Sequence, residues 1–441
     1  MRSRSASNGM DRAKAYFKGK KVTVMGLGLL GKGLGDALFL ARCGAQVTIT
    51  DLKTKQQLAS SVAQFKKFKN VRFVLGKHDM KDFERADMIL KAQGVKLDSP
   101  YIAHARKNNI PVRMDDELFV ELAPKNVKII GVTGTRGKTT VATLIYHILK
   151  KAGKRVHLAG NIRGVATLAL VPKVKAGDYV VLELSSWQLQ GFGEANISPQ
   201  VSVFTNFMPD HMNYYNNSLK DYFADKAQIF KHQKAGDTLV ASDSLSSKIP
   251  ASYKGTKVVG RASDIPKAWK VGIVGEHNRE NIALGIAAVR ALNIPLTKIR
   301  AGVESFKAVE GRLQYVKSLR GIQIYNDNNS TTPEATLAAL KAFPAGKVVL
   351  IVGGADKNLN MQVLMKFAEH HTKAMVFLPG TGTDKIGATS VPSLKAALHA
   401  ALEMATRGDI VLFSPAFASF GMFTNEYDRN DQFLSLVKKL K

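Results

Sequence analysis

The strongest signal in this chain is the stretch Gly131-Val-Thr-Gly-Thr-Arg-Gly-Lys-Thr-Thr140, in which nearly every residue can meet a phosphate. It follows an apolar run at 127–130 and precedes a helical pattern at 141–150. A strand, a glycine-rich turn and a helix are the context of a P-loop, where backbone N–H groups and the helix N-terminus face the phosphates. The stretch therefore predicts a nucleotide-binding α/β unit.

The spacing of this loop is a variant one. The pattern G-x-x-x-x-G-K-[ST] requires a glycine five residues before Gly137, and Val132 stands there, so the spacing is T-G-T-x-G-K-T-T. Lys138 is predicted to reach the terminal phosphates, and the Thr139 hydroxyl is predicted to bind Mg²⁺. The predicted ATP contacts in the loop are Gly134, Thr135, Gly137, Lys138, Thr139 and Thr140.

Length and composition describe a globular chain. At 441 residues, and with about 150 residues per domain, three domains are expected. Cys43 is the only cysteine, so an intrachain disulfide is impossible. No apolar run approaches the roughly 20 residues of a membrane helix. Residues 1–20 are basic and lack the apolar core of a secretory signal, which predicts a disordered tail and a cytoplasmic protein.

The charge balance is unusual, because 64 Lys and Arg residues against 35 Asp and Glu residues give a net charge of +29. Phosphate neutralisation on a nucleic acid is one interpretation. A basic surface that favours anionic small molecules is the other. The cations are spread along the chain and form no aromatic-interleaved stripe, so no specific nucleic-acid partner is expected.

Strand and helix patterns alternate throughout, which predicts an α/β fold with parallel sheets in three domains. The predicted domains are 21–124, 125–308 and 309–441. The first begins with a strand running into Gly26, Gly28 and Gly31, and Asp51 ends the next strand about 20 residues later, as in a dinucleotide fold. This pattern alone could bind NAD, bind another nucleotide, or pack a helix on a strand. Further strands are predicted at 71–75, 88–90, 155–158, 179–184, 201–204, 322–325, 348–352, 375–378 and 410–413, and helices at 280–292 and 393–406.

Polar residues follow the strands of the second domain. Glu183 ends one strand, and Asp210 and His211 lie just beyond the next, where ligands of open α/β sheets bind. Thr139 and Glu183 offer the hard oxygen ligands that Mg²⁺ prefers. Lys226 has the local pattern of an ordinary lysine on a helix surface.

Several motifs in one order resemble those of the Mur ligase family, the ADP-forming amide ligases of peptidoglycan precursor synthesis. The P-loop resembles the family's ATP loop, and Glu183-Leu-Ser-Ser-Trp-Gln-Leu resembles the motif of the D-glutamate-adding branch. The other matching motifs are Leu158-Ala-Gly-Asn-Ile162, Asp210-His-Met212, His277-Asn-x-x-Asn281, Gly311-Arg312, Asn326-Asp327 and Ser414-Pro-Ala-Phe-Ala-Ser419.

The resemblance implies a UDP-binding Rossmann-like N-terminal domain, a central P-loop ATPase-type domain and a Rossmann-like C-terminal domain that binds the amino acid. The implied catalytic residues are Lys138, Glu183, His211 and Lys226, and the implied metal ligands are Thr139, Glu183, His211 and Lys226, with Lys226 carbamylated. The implied UDP-sugar contacts are Gly28, Leu29, Leu30, Asp51, Gly94 and Asn161. Further ATP contacts would be Asn278, Arg312 and Asp327, and amino-acid contacts would be Thr331, Lys357 and Ser419.

The implied reaction joins D-glutamate to UDP-N-acetylmuramoyl-L-alanine through an acyl phosphate and a tetrahedral intermediate, with ATP and two Mg²⁺ ions. A monomer without a membrane span is expected. Positive charge from Lys138, Arg312 and the metal ions would offset the repulsion of the anions brought together.

The chain departs from the family pattern in four places. Asn329 stands where a lysine is usual, Gly421 replaces an aspartate, and Glu426 occupies an aromatic position, while Ala92-Gln-Gly94 replaces a Ser-Pro-Gly turn near the nucleotide. L-glutamate stays open as the substrate, because stereospecificity lies in pocket shape. A folylpolyglutamate-synthase-like activity is the nearest rival among ligases, although the N-terminal glycine-rich domain argues against it. A nicotinamide oxidoreductase and a nucleic-acid-binding ATPase are the alternatives from other classes.

Overall fold

Three β-sheets, two in one compact unit and one in another, organise the chain in a computed structural model that describes residues 9–28 and 31–441. The first unit contains the described residues up to 261 together with 283–302, and the second contains 262–282 together with 303–441. The predicted α/β fold class with three sheet-based parts is confirmed. The predicted boundaries at 124/125 and 308/309 stay predictions.

The first sheet is parallel and has the strand order β3-β2-β1-β4-β5. Its strands are β1 Lys21–Met25, β2 Gln46–Asp51, β3 Val71–Leu75, β4 Met88–Lys91 and β5 Val112–Arg113. The helices of this part are α1 Gly9–Phe17, α2 Lys32–Arg42, α3 Ala59–Ala63, α4 Lys81–Glu84, α5 Pro100–Lys107 and α6 Asp115–Leu122. The order reverses at β1, so the turn after β1 lies at the switch point where open sheets bind ligands.

Helix α1 corrects the prediction of a disordered tail. Residues 9–17 form a helix whose Ala13 and Phe17 are completely buried in the core of the first unit. The basic, serine-rich composition hid this short apolar face, whereas residues 1–8 lie outside the described residues.

The second sheet is also parallel, in the order β11-β10-β9-β6-β8-β7. Its strands are β6 Lys128–Thr133, β7 Val156–Gly160, β8 Tyr179–Glu183, β9 Val201–Phe204, β10 Thr238–Ala241 and β11 Thr256–Val259. The helices between β6 and β12 are α7 Lys138–Lys151, α8 Ser186–Glu194, α9 Leu219–Lys231, α10 Glu276–Ala291 and α11 Leu296–Ser305, with 3₁₀ turns at Leu168–Leu170, Asp243–Lys248 and Ala262–Asp264. Helices α10 and α11 each contain residues of both units, and the last of these turns belongs to the second unit. Strands β6, β8 and β9 are buried almost throughout, as expected when helices cover both faces of a parallel sheet.

The third sheet has the order β12-β13-β16-β14-β15, and only its edge pair β12–β13 is antiparallel. Its strands are β12 Gln314–Leu319, β13 Ile322–Asn326, β14 Val348–Gly353, β15 Thr372–Leu378 and β16 Ile410–Phe413. The helices are α12 Pro333–Leu340, α13 Gln362–His371, α14 Thr381–Lys385, α15 Leu394–Met404 and α16 Glu426–Lys439. Alternate residues of β14 join two different apolar clusters, Val349 and Ile351 in one and Leu350 and Val352 in the other, so both faces of this sheet are covered.

Most predicted elements lie where the periodicity placed them. Strands β3, β9 and β16 have the predicted bounds, and α10 begins four residues before the predicted start at 280. Strands β5, β10, β11 and β12 were not predicted. Within residues 9–28 and 31–441, no helix combines the length and the hydropathy needed to cross a membrane.

Candidate active site

The predicted P-loop joins β6 to α7 in the first unit, and two of its glycines have backbone angles that favour glycine. The φ angle is 143° at Gly134 and 82° at Gly137. A Cβ atom at Gly134 would lie 1.9 Å from the Oγ1 atom of Thr205. The strand–turn–helix prediction is therefore confirmed, and the loop conformation depends on a glycine at 134.

The segment that follows β9 holds the P-loop through hydrogen bonds. The backbone N–H of Thr135 donates to the carbonyl oxygen of Asn206 (2.9 Å), and that of Arg136 donates to the Asn206 side chain (2.8 Å). The Thr205 hydroxyl donates to the carbonyl of Arg136. Asn206 therefore stabilises the conformation of the P-loop, a role that its position after a strand did not indicate.

Two lysine amines meet one carbonyl of the loop. The Nζ atom of Lys138 lies 3.0 Å from the Gly134 oxygen, and the Nζ atom of Lys226 lies 2.8 Å from the same oxygen. Lys138 also donates to the carbonyl of Thr135 (3.0 Å). The structure thus brings together two of the predicted catalytic residues, although 88 positions separate them in the sequence (226 minus 138).

Lys226 is not the helix-surface lysine that its local pattern suggested. Only 2% of it is exposed, and it lies on the buried face of α9 with Tyr222 and Phe230. The i, i+4 spacing of these three residues is the signal that could have found it, because it continues an apolar helical stripe through a lysine. Burial, and after it the charge of Lys138, holds the pKa of Lys226 well below its usual range.

Glu183 ends β8 with a carboxylate that is 2% exposed. One oxygen accepts a hydrogen bond from the Asn161 side chain (3.2 Å), and the Asn161 backbone N–H donates to the Glu183 carbonyl (2.8 Å). The other oxygen, Oε2, is buried without a hydrogen-bond partner among the described residues. Since an unsatisfied buried carboxylate oxygen is costly, this atom is suited to a ligand such as a metal ion.

His211 lies in a strained backbone conformation at the rim of this region. Its φ angle is 56°, its ring centroid is 4.7 Å from that of Trp187, and its Nε2 atom is 3.8 Å from an Asp210 oxygen. Burial lowers the pKa of His211 in spite of Asp210, and the nearby cations Lys138 and Lys226 lower it further. The ring is therefore neutral at physiological pH, as a metal ligand must be.

The predicted Mg²⁺ ligands fit a site that borrows oxygens from a phosphate chain. No cluster of three His, Cys, Asp or Glu side chains suited to a metal occurs in the part of the chain that the structure describes. The unpartnered Glu183 oxygen and the hydroxyl-bearing helix start at Thr139 supply hard oxygen donors, and Mg²⁺ characteristically completes its shell with water and phosphate.

The predicted UDP contacts lie at the carboxyl edge of the first sheet. One oxygen of Asp51 accepts hydrogen bonds from the N–H groups of Leu27 (2.9 Å) and Gly28 (3.2 Å), and the other accepts one from Lys53 (2.9 Å). Asp51 therefore holds the glycine turn closed. Gly94 follows β4 with open space around it. The predicted contacts Leu29 and Leu30 lie outside the described residues.

In the second unit, Arg312 and Asp327 come together. The N–H of Leu313, next to Arg312, donates to an Asp327 oxygen (3.0 Å), and Ser414 donates to the other oxygen (2.8 Å). Burial raises the pKa of Asp327 to about 6. Asn278 is buried and donates to the carbonyl of Val274 within its own helix start (2.8 Å).

The three predicted amino-acid contacts share the carboxyl edge of the third sheet. The Ala416 N–H donates to the Ser330 oxygen (2.8 Å), which joins the loops after β13 and β16, and the backbones of Ala355 and Ala418 form a two-way pair that joins the loops after β14 and β16. The Nζ atom of Lys357 lies 3.4 Å from the Thr331 carbonyl. Thr331, Lys357 and Ser419 are thereby collected at one edge.

Three of the four departures from the family pattern lie around this edge, whereas Ala92-Gln-Gly94 follows β4 in the first sheet. The side-chain amide of Asn329 donates to the Glu310 carbonyl (3.4 Å), and the backbone N–H of Asn329 donates to the carbonyl of Gly311 (3.0 Å). Gly421 has a φ angle of 92° and open surroundings. Glu426 begins α16, and its carbonyl accepts a hydrogen bond from Asn328 (2.9 Å).

Comparison with known proteins places the chain. Three family models match it in succession, the MurD-like N-terminal domain at 20–114, the Mur ligase middle domain at 132–259 and the Mur ligase glutamate ligase domain at 311–417. A UDP-N-acetylmuramoylalanine–D-glutamate ligase of Borreliella afzelii (strain PKo) is 36% identical, and the match covers 96% of this chain and 99% of that protein. The chain belongs to the Mur ligase family.

Other relatives support the same membership. Proteins with the same name from Roseiflexus sp. (strain RS-1) and Clostridium kluyveri (strain ATCC 8527 / DSM 555 / NBRC 12016 / NCIMB 10680 / K1) are 35% and 32% identical, over 95% and 98% of this chain and 98% and 99% of theirs. The predicted resemblance to this family is confirmed.

Solved structures of Mur ligases share the fold at low sequence identity. A MurF ligase of Thermotoga maritima in complex with ADP has a TM-score of 0.61 at 18% identity, covering 97% of this chain and 96% of that one. The UDP-N-acetylmuramate–alanine ligase MurC of the same organism has a TM-score of 0.57 at 19% identity, covering 96% and 100%. Both confirm the architecture and carry no information on the substrate.

Proposed function

We propose that this Mur ligase uses ATP to join D-glutamate to UDP-N-acetylmuramoyl-L-alanine, releasing ADP and phosphate. The observation that carries the proposal is the end-to-end match, at up to 36% identity, to several relatives that bear the name of this reaction. Loops at three sheet edges, one per part of the chain, suit a reaction with three substrates.

The chemistry explains why these residue types are present. A carboxylate is a poor acyl donor, so its oxygen first attacks the terminal phosphorus of ATP, and ADP leaves. The amine of glutamate then attacks the acyl carbon, the tetrahedral intermediate collapses, and phosphate leaves while the amine loses a proton. Lys138 would neutralise the transferring phosphoryl group, and the N–H groups of the loop would hold the phosphates.

Mg²⁺ is part of the proposal, with Thr139, Glu183, His211 and Lys226 as the residues that would hold two ions. The ions would supply Lewis acidity and charge neutralisation. The support is the buried Glu183 oxygen, which lacks a hydrogen-bond partner among the described residues, beside an Asn161 that fixes the other oxygen.

Carbamylation of Lys226 would complete the ligand set. In that step the neutral amine attacks CO₂, a nitrogen–carbon bond forms, and one proton leaves to water, which converts the neutral amine into an anionic carbamate. The burial of Lys226 and the adjacent Lys138 both disfavour its charged form, and Lys138 would pair with the new carboxylate.

The remaining predicted contacts belong to the same proposal. Asn278, Arg312 and Asp327 would contact ATP. The UDP-sugar would meet Gly28, Leu29, Leu30, Asp51, Gly94 and Asn161, and glutamate would meet Thr331, Lys357 and Ser419. We infer that the protein is cytoplasmic, because ATP and UDP-linked precursors are supplied in that compartment. We also propose that it is a monomer.

Phosphate release tests the proposal. Purified protein is given ATP, Mg²⁺ and UDP-N-acetylmuramoyl-L-alanine, with D-glutamate, L-glutamate or no amino acid. Release that requires both the nucleotide sugar and D-glutamate is expected. A preference for L-glutamate would keep the chemistry and change the substrate, whereas release stimulated by DNA or RNA without the nucleotide sugar would favour a nucleic-acid-binding ATPase.

A further inference from the structure

Arg429 is a buried cation in the second unit that none of the predicted site residues explains. It lies in the first turns of α16, which begins at Glu426, and it is only 1% exposed. It is among the largest fully buried side chains of the described protein. A guanidinium in such a place requires good acceptors, because it cannot escape its charge by losing a proton at neutral pH.

The acceptors come from two loops at the carboxyl edge of the third sheet. The Nε atom of Arg429 donates to the side-chain oxygen of Asn328 (2.8 Å), and the Nη2 atom donates to the Asn328 carbonyl (3.0 Å). The Nη1 atom donates to the carbonyl of Phe417 (3.2 Å). One planar group therefore ties the loop after β13 to the loop after β16.

All three acceptors are neutral, so they only partly offset the free energy needed to remove the guanidinium charge from water. Among the described residues no carboxylate forms an ion pair with Arg429, although the charge of Glu426 lies near enough to favour the protonated form. Burial lowers the pKa of Arg429 to about 10. The residue also lies near the positive end of its helix, where cations are disfavoured. A buried cation in these surroundings is a poor choice for stability alone and is typical of a functional edge.

The loops that Arg429 joins also carry the predicted amino-acid contacts. Asn328 is fully buried and lies three residues before Thr331, and Phe417 lies two residues before Ser419. Asn329 is uncharged and faces the turn at Glu310. Besides Lys357, positive charge near this edge therefore comes from Arg429 on the helix behind the loops and not from position 329.

We propose that Arg429 is a positioning residue that determines how tightly the incoming dicarboxylate amino acid is held. Its three hydrogen bonds fix the spacing between the loops of Thr331 and Ser419, and its charge attracts the carboxylates bound at this edge. The inference rests on the proposed function, since it names the residue that adapts this edge to glutamate.

The test compares the KM values for glutamate, ATP and the nucleotide sugar in three variants of the full chain. Arg429→Lys keeps the positive charge but loses the planar guanidinium that donates from three nitrogens, and Arg429→Met loses both the charge and the donors. Asp409→Asn is the matched control, because Asp409 is equally buried, makes polar contacts to Lys373 and Thr406, and precedes β16 at the opposite edge of the same sheet.

We expect the KM for glutamate to rise about tenfold in Arg429→Lys and about a hundredfold in Arg429→Met, from the strength of hydrogen bonds to charged groups. The KM values for ATP and the nucleotide sugar should change less than about threefold. ATP–ADP exchange that needs the nucleotide sugar but no amino acid should stay near the wild-type rate. Asp409→Asn should leave the KM for glutamate unchanged.

Equal changes in all three KM values, or a loss of kcat at an unchanged KM for glutamate, would overturn the inference. If Arg429→Met does not fold, Arg429→Lys decides alone, and a wild-type KM for glutamate in that variant rejects the positioning role. Absence of glutamate-dependent phosphate release from the wild-type protein would instead reject the proposed function, so the two failures are distinguishable.

Discussion

Lys226 in the first unit and Arg429 in the second are both buried basic side chains beneath sheet edges that are predicted to bind ligands, and they adapt to burial in different ways. Lys226 donates one hydrogen bond, to the Gly134 carbonyl, and burial holds its pKa well below the usual range of a lysine. Arg429 donates three hydrogen bonds and keeps its charge.

The difference follows from the chemistry of the two side chains. An amine can lose its proton, so burial makes Lys226 a nucleophile and suits it to modification. A guanidinium remains protonated, so burial demands acceptors from the surrounding backbone and makes Arg429 a fixed structural charge. This contrast agrees with the proposal that the first edge carries out the phosphoryl transfer and that the second holds the amino acid.

The largest effect is expected from the residues that we propose act on phosphate. Lys138→Ala and Glu183→Gln should each lower phosphate release at least about a thousandfold, because the first removes a positive charge from the transferring group and the second removes a proposed Mg²⁺ ligand. Arg429 variants should retain far more kcat. Lys151→Ala, at the exposed end of the same helix as Lys138, is the control and should behave as wild type. Comparable kcat losses in Lys138 and Arg429 variants would abolish the distinction between the edges.

The next effect concerns the backbone of the first edge. Gly134→Ala should destabilise the protein by about 3 kcal/mol, because the new Cβ meets Thr205 at a φ angle unsuited to alanine. Gly153→Ala is the control, since its φ angle is +77° with nothing within 4 Å, and it should cost only about 1 kcal/mol. Chemical denaturation measures the free energy of unfolding of both variants. Equal losses would show that the P-loop can rearrange to accommodate the new Cβ atom at position 134.

A third experiment contrasts the two cations directly. In CO₂-free buffer, Lys226→Met should leave the free energy of unfolding unchanged or raise it by about 1 kcal/mol, because it removes a poorly solvated amine. Arg429→Met should lower it by about 2 kcal/mol, because three buried carbonyl and amide oxygens lose their donor. Thermal denaturation of both variants tests this, and destabilisation of the same size in both would contradict the comparison.

A further effect is a pH dependence in the second unit. Burial raises the pKa of Asp327 from 3.8 to about 6, so the folded state binds this proton more tightly than the unfolded state. The resulting stability is complete below pH 3.8 and is lost as the pH rises through about 6, a change of about 3 kcal/mol. The difference in unfolding free energy between wild type and Asp327→Asn should show this slope.

Asp409 supplies the opposite slope. The hydrogen bond from Lys373 holds the pKa of Asp409 below its usual value, so its contribution is present above the ordinary pKa and is lost as the pH falls. In the Asp409→Asn variant, the free energy of unfolding should therefore fall less steeply than in the wild type as the pH is lowered. A difference curve for Asp327→Asn with the sign expected for Asp409 would show that Asp327 is not desolvated.

The candidate site was predictable where its signal is contiguous. The P-loop is one run of residues, so the strand, the turn and Lys138 followed from the sequence, and parallel strands placed Glu183 at the same edge. The burial of Lys226 could have been inferred from its i, i+4 spacing with Tyr222 and Phe230. The roles of Asn206 and Arg429 could not be assigned from local pattern, because their contacts cross long stretches of chain. The error at α1 has a related cause, since a short amphipathic helix becomes stable only when Ala13 and Phe17 find their core.

The α/β class, the order of the three sheets along the chain and the family could be inferred from the amino-acid sequence, because periodicity and contiguous motifs are local properties. Which side chains are desolvated and which loops share an edge depends on how the chain packs in three dimensions. Lys226 and Arg429 owe their behaviour to burial by residues distant in the sequence, and the cost of burying a charge depends on the whole surroundings of that charge.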